Sequence, residues 1–263
     1  MKRISPAIAM SFAVGLLLGT TILADAAINQ LPVQAPSTVA PEQDPVKALT
    51  RMSSYLRGLQ SFEIKGDTTL DVVTTKGQRL QLGGNVEYKV RRPNGFRIAV
   101  TSDFMNRQFY FDGKQFTISA PQLGFYATES APPTIREMLD KVWNKYGISL
   151  PLVDLFRWSD PMESRAEKLI SSFYVGPATI DGVTTDHYAF REKDRDWEIW
   201  IERGDRPVPR KLAIVNLSDP ARPSYVARLS WNVAPTLTAD NFKFKPSPDS
   251  KAIPLEPLGT EQG

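Results

Sequence analysis

The chain has 263 residues, no cysteine, a single histidine and a net charge of +3, from 32 Lys and Arg against 29 Asp and Glu. The charges are interspersed and nearly balanced, which leaves no electrostatic footprint for nucleic acid and no polybasic segment for an anionic lipid surface. Without cysteine there is no disulfide staple, thiolate metal site or lipid-modified cysteine, so an ordinary hydrophobic core must hold the fold, and the chain is long enough to build one.

Lys2 and Arg3 precede an apolar run from Ala7 to Ala24, and Ala24-Asp25-Ala26 offers small residues where a signal peptidase reads. Ser11, Gly15 and Gly19 interrupt the run, which makes it a weak membrane span. Residues 1–26 are therefore expected to be a cleaved secretory signal, with a retained anchor as the minor alternative, and the mature chain to be exported. Residues 27–43, rich in Pro, Ala and polar side chains, read as a flexible tether.

Asp44-Pro45 opens a helix, since Asp caps well and Pro suits the first helical position. Val46, Leu49, Met52, Tyr55, Leu56 and Leu59 form its apolar stripe, and Gly58 lies near its end. Strands begin at Ser61 and run to a turn at Lys76-Gly77. The next segment, Arg79 to Val90, is interrupted by Gly83-Gly84, which suggests a bulge or bend. A meander follows to Thr128. Arg92-Pro93-Asn94-Gly95 turns it once and Asp112-Gly113 turns it again, the second being a strong hairpin signal. Phe109 and Phe111 share one strand face, and Phe116 and Ile118 share a face of the next.

Between Ser130 and Leu169 the period changes. Thr134 caps a helix with Ile135, Met138, Leu139, Val142, Trp143 and Tyr146 as its stripe, and Gly147 ends it. Leu150 to Phe156 and Ser159 to Lys168 read as shorter helical turns. Strands resume at Phe173, with turns at Asp181-Gly182 and at Glu192 to Arg195, and run to Val233. In the segment 196–202, Trp197, Ile199 and Ile201 face one way and Glu198, Trp200 and Glu202 the other. A Pro-rich tail from 246 to 263 is expected to fray. The sum is about 11 strands and few helices: an α+β chain built on a strongly curved antiparallel sheet with helices on one face.

The order of several motifs carries a resemblance. Leu59-Gln60-Ser61-Phe62 ends the first helix, Gly84 to Arg97 reads Gly-x-Val-x-Tyr-Lys-Val-Arg-Arg-Pro-Asn-x-Phe-Arg, and Phe111 to Phe116 reads Phe-Asp-Gly-Lys-x-Phe. Leu123 to Tyr126 and Asn241 to Pro246 (Asn-Phe-x-Phe-x-Pro) complete the set. The chain resembles the LolA/LolB-like superfamily of periplasmic lipoprotein carriers and receptors. Ala131 to Ile135, Leu150 to Leu155, Asp186 to Arg191, Asp196 to Glu202 and Pro209 to Leu212 resemble, more closely, the DUF2092 family of predicted periplasmic proteins. The resemblance implies an unclosed β-barrel with helices capping its concave face, a half-barrel domain over 44–245 with a helical lid over about 131–169, enclosing an apolar cavity for acyl chains, in the periplasm of a Gram-negative envelope.

Chemistry on the residues themselves is sparse. His187 has no ligand cluster around it in sequence and reads as a surface or hydrogen-bonded histidine. No nucleophile elbow occurs. Glu198 and Glu202 share a strand face and could place two carboxyls about 5–10 Å apart, as in a glycosidase, but the plainer reading is a solvated outer face. The chain is therefore expected to be no enzyme and to use no cofactor. The expected role is to bind or carry a hydrophobic ligand such as an acyl chain, lipid or lipoprotein, as a monomer. The alternatives are a lipid-responsive sensor or protein-interaction module of the cell envelope, with an envelope protein as partner, and, further off, a hydrolase. Phe109, Phe111, Phe116, Ile118, Phe125, Leu139, Trp143, Phe190, Trp197, Ile199 and Trp231 are the candidate cavity residues, against the alternative that side chains simply fill the core.

Overall fold

The computed structural model describes residues 40–103, 105–148, 150 and 167–257. The expected signal (1–26), most of the tether and most of the helical turns expected at 150–156 and 159–168 lie outside the described residues, as does the end of the tail beyond 257.

Helix α1 (Pro45–Gly58) begins where the sequence places it: the Asp44 carboxylate accepts from the backbone N–H of Val46 and of Lys47. Ala48, Leu49, Met52, Ser53 and Leu56 are its buried side. Helix α2 (Ile135–Tyr146) opens on a capping box. The Thr134 hydroxyl accepts from Glu137 N–H and the Glu137 carboxylate accepts from Thr134 N–H, while Gly147 closes the helix in the left-handed region.

Twelve strands make one sheet: β1 (Ser61–Val73), β2 (Arg79–Arg91), β3 (Gly95–Ser102), β4 (Asn106–Phe111), β5 (Gln115–Ala120), β6 (Phe125–Ser130), β7 (Ser171–Ile180), β8 (Val183–Arg191), β9 (Arg195–Glu202), β10 (Pro209–Asn216), β11 (Ser224–Asn232) and β12 (Lys251–Ala252). The order across the sheet is β12-β6-β5-β4-β3-β2-β1-β11-β10-β9-β8-β7. Each neighbour pair is antiparallel except β12 on β6. The order begins and ends on different strands, so the sheet stays unclosed, as the α+β half-barrel reading expects.

Two local expectations are corrected. Gly83-Gly84 forms no bulge: β1 and β2 pair in unbroken register from Ser61↔Arg91 to Val73↔Arg79. The glycine is required by close approach instead, because a Cβ on Gly84 would lie 2.8 Å from the Thr101 carbonyl oxygen. The frayed tail expected beyond Pro246 is corrected at Lys251–Ala252, which pair with Phe125–Tyr126 on β6, and the C-terminal strap that leads there is anchored ahead of Pro246. Phe242 packs against Gly95, whose Cβ would stand 2.9 Å from the ring, and Phe244 sits between Tyr110 and Tyr126 with ring centroids 5.3 and 4.9 Å away. The chain then crosses to pair as β12.

Candidate ligand-binding face

Side chains of cross-strand partners share a face, so the register assembles the inner surface row by row. One row runs Phe116, Phe111, Phe96, Val90, Phe62 from β5 to β1. The next runs Ile118, Phe109, Ile98, Tyr88, Ile64, Trp231 from β5 to β11. A third runs Leu82, Leu70, Tyr225, Ile214, Trp197, Phe190 from β2 to β8. No charged side chain interrupts these rows.

Both helices lie on that surface. The buried sides of α1 and α2 join the inner-face residues in one hydrophobic cluster. Polar contacts fix each helix. At α2, Ile135 N–H donates to the Pro93 carbonyl (2.9 Å), and Lys141 and Lys145 pair with Glu129 on β6 at 3.9 and 3.5 Å. Just before α1, the Glu42 carbonyl accepts from the Tyr188 hydroxyl (2.6 Å), and Arg51 on the helix donates to the Gly204 carbonyl.

Of the candidate cavity residues, Phe109, Phe111, Phe116, Leu139, Phe190 and Ile199 are buried, and Ile118, Trp197 and Trp231 pack against the same cluster half-buried. Phe125 pairs with Ala120 near the β12 end of the sheet and is 40% exposed. Trp143 is a correction: it is 53% exposed and stands off the buried stripe of Ile135, Met138, Leu139, Val142 and Tyr146. At roughly 100° per residue, Trp143 lies about 80° from the centre of that stripe, on its flank.

The third row is the least covered. Leu70 is 41% exposed and Leu80, one step further along β2, is 39% exposed. Tyr225 sits in the middle of this row, and its hydroxyl is buried without a hydrogen-bond partner. Burial pushes its phenol up to about 12. The fully buried Tyr88 phenol is held well above its ordinary range by burial, with Tyr225 adding to the effect. Sequence alternation places Leu70, Leu82 and Tyr225 on apolar faces one strand at a time, but only the register joins them into one row.

The opposite face holds the polar residues weighed above. His187 Nε2 lies 2.8 Å from Glu198 Oε2, and its ring stacks on Trp200 at 3.9 Å between centroids. Lys211 Nζ lies 4.1 Å from the centre of the Trp200 ring. The histidine is thus hydrogen-bonded, as expected, and desolvation by burial holds it below its ordinary range against the opposing pull of Glu198. The solvated-face expectation is corrected for Glu202. It is buried and takes Arg210 on one oxygen at 2.9 and 2.6 Å, with Arg206 at 3.4 Å on the other. On the inner side, buried Asp186 is held by Arg203 and by the Tyr174 hydroxyl (3.0 Å). Among the described residues no group of three or more His, Asp or Glu is disposed to hold a metal ion.

A family model described as a predicted periplasmic protein, DUF2092, matches residues 46–256. The chain belongs to the DUF2092 family. It is a periplasmic protein. The match runs from the second residue of α1 through β12, so this DUF2092 chain carries both helices, all twelve strands and the C-terminal strap inside the family's span. No curated protein matches the sequence.

Among solved structures, MucB is 14% identical over 76% of this chain with a TM-score of 0.43, and the chain spans 62% of the MucB chain. The lipoprotein LppX of Mycobacterium tuberculosis is 14% identical, with 73% of this chain and 97% of that one covered and a TM-score of 0.45. The LolA superfamily protein NE2245 of Nitrosomonas europaea is 9% identical, with 75% and 96% covered and a TM-score of 0.33. Likenesses this distant transfer no ligand to the DUF2092 chain.

Proposed function

We propose that this protein binds a hydrophobic ligand, an acyl chain or lipid, on the inner face of its half-barrel beneath the two helices. One observation carries the reading. The apolar inner surface extends further than the helices cover: Leu70 in its third row and Leu80, one step beyond that row, are about two-fifths exposed, beside half-buried Ile214 and Trp197. Apolar surface left continuous with a core marks a place where something else is buried. The driving force is desolvation, about 0.8 kcal/mol per buried CH₂, so a chain of about a dozen carbons binds usefully even after ordering costs.

The reading is of a binding protein and no enzyme. His187 and Glu198 engage each other on the opposite face, away from the apolar rows. The test is uptake of a fluorescent acyl ester probe by the wild type and by a Leu70→Asp, Leu82→Asp variant. Both leucines sit at the partly open end of the row, so the fold tolerates the change. Uptake is expected to fall at least about tenfold, the equivalent of 1.4 kcal/mol, with the thermal midpoint little changed. Equal uptake by the two proteins overturns the placement, and no uptake by either moves the reading to an interaction module.

A further inference from the structure

Among the described residues, the sheet's inner face carries a buried hydroxyl, that of Tyr225, which the fold does not use. Tyr225 lies in the third row with Leu70 on one side and Ile214 on the other. Its hydroxyl is fully out of solvent and meets no donor or acceptor. Buried hydroxyls in native proteins are nearly always paired, and an orphan calls for an explanation, which a bound partner would supply. The rest of the row is Leu82, Leu70, Ile214, Trp197 and Phe190, and the row behind it on the same face includes Thr68, Ala227 and Leu212. None of these supplies a positive charge, so an ionised carboxylate or phosphate placed against Tyr225 would be desolvated without a counter-charge.

Resting on the binding reading above, we propose that Tyr225 is the specificity-determining residue of this face, its hydroxyl donating to an uncharged acceptor, such as an ester carbonyl, on the bound lipid. The acceptor role falls to the ligand because a phenol donates a hydrogen bond better than it accepts one. Burial keeps the phenol protonated throughout the physiological range. An apolar chain alone would satisfy the leucines and Trp197 but leave the hydroxyl bare; an acyl ester satisfies both.

The experiment compares hexadecane with methyl palmitate, each delivered from cyclodextrin to the full-length mature protein, with occupancy read by native mass spectrometry. Wild type is expected to take up both and to prefer the ester about threefold to tenfold, the range of one net hydrogen bond. Tyr225→Phe is expected to bind hexadecane as the wild type does and to lose the preference. Its thermal midpoint without ligand is expected to be equal or higher, because deleting an unpaired buried hydroxyl removes a desolvation penalty. A lower midpoint together with weaker hexadecane binding would mark Tyr225 as a packing residue and overturn the proposal. Uptake of both ligands with no ester preference in the wild type, or with a preference that survives in Tyr225→Phe, overturns the role of Tyr225 and leaves the binding face standing. Uptake of neither ligand by the wild type sinks the binding face itself.

Discussion

Replacing Gly84 by alanine, with Gly83→Ala as its partner, probes the sheet at the level of single atoms. A Cβ on Gly84 would stand 2.8 Å from the Thr101 carbonyl oxygen and 3.0 Å from Thr68 Oγ1. The first neighbour is backbone, held in the β2–β3 ladder, and cannot swing aside. Forcing in the methyl costs about 1–3 kcal/mol. Alanine returns about 0.4–1 kcal/mol by restricting the unfolded chain, which leaves a net loss of about 1–2 kcal/mol. For a domain of this size each kcal/mol moves the midpoint by about 2–4 °C, so Gly84→Ala is expected to melt about 2–8 °C lower. At Gly83 a Cβ would meet nothing within 4 Å, and Gly83→Ala is expected to melt about 1–4 °C higher through the entropy term alone. Circular dichroism melts of both variants settle the matter. A fall at Gly83 equal to that at Gly84 would refute the reasoning, because it would mean that a backbone bend, and not the approach of β3, demands glycine there.

Asp71 links the β1–β2 hairpin to β11: it accepts from the Ser224 hydroxyl (2.7 Å) and from Arg79 (3.0 Å), and these partners, Ser224 first, hold its carboxyl below its ordinary range. A depressed carboxylate contributes stability above the unfolded pKa of about 3.9 and loses it as pH falls through the lower folded value, so Asp71→Asn is expected to flatten the acid limb of a urea-stability profile. Val142→Asp is expected to cost more than about 3 kcal/mol, since it buries an unpaired charge in the α2 stripe, whereas Trp143→Asp, one residue on, is expected to stay within about 0.5 kcal/mol; urea titrations of both distinguish the faces of α2. Phe242→Ala is expected to cost about 3–5 kcal/mol and to make the C-terminal strap the first site of limited proteolysis.

Local chemistry made much of this fold legible from the sequence. Asp44-Pro45, the Thr134 capping box and Gly147 bound the two helices, and Asp112-Gly113 turns β4 into β5, because each of these signals acts within a few residues. Face assignments along Phe109–Phe111 and Trp197–Ile201 followed from strand alternation. What stayed hidden depends on distant partners. The need for glycine at 84 comes from Thr101, 17 positions away in the sequence. Phe242 and Phe244 belong to a visible motif, but Gly95, Tyr110 and Tyr126 give them their places. Trp143 was misplaced because a stripe read by eye includes its flank. Glu202 looked solvated because alternation names a face without saying that Arg206 and Arg210 cover it. The least covered row of the inner face was out of reach for the same reason: its six residues come from six strands, and only the pairing register brings them side by side.

The most direct measurement is native mass spectrometry of the protein purified from a periplasm, with organic extraction of the same sample. The account predicts a bound lipid of defined mass that is recovered in the extract. A clean apo mass, with no uptake of an added fluorescent acyl ester, would contradict it.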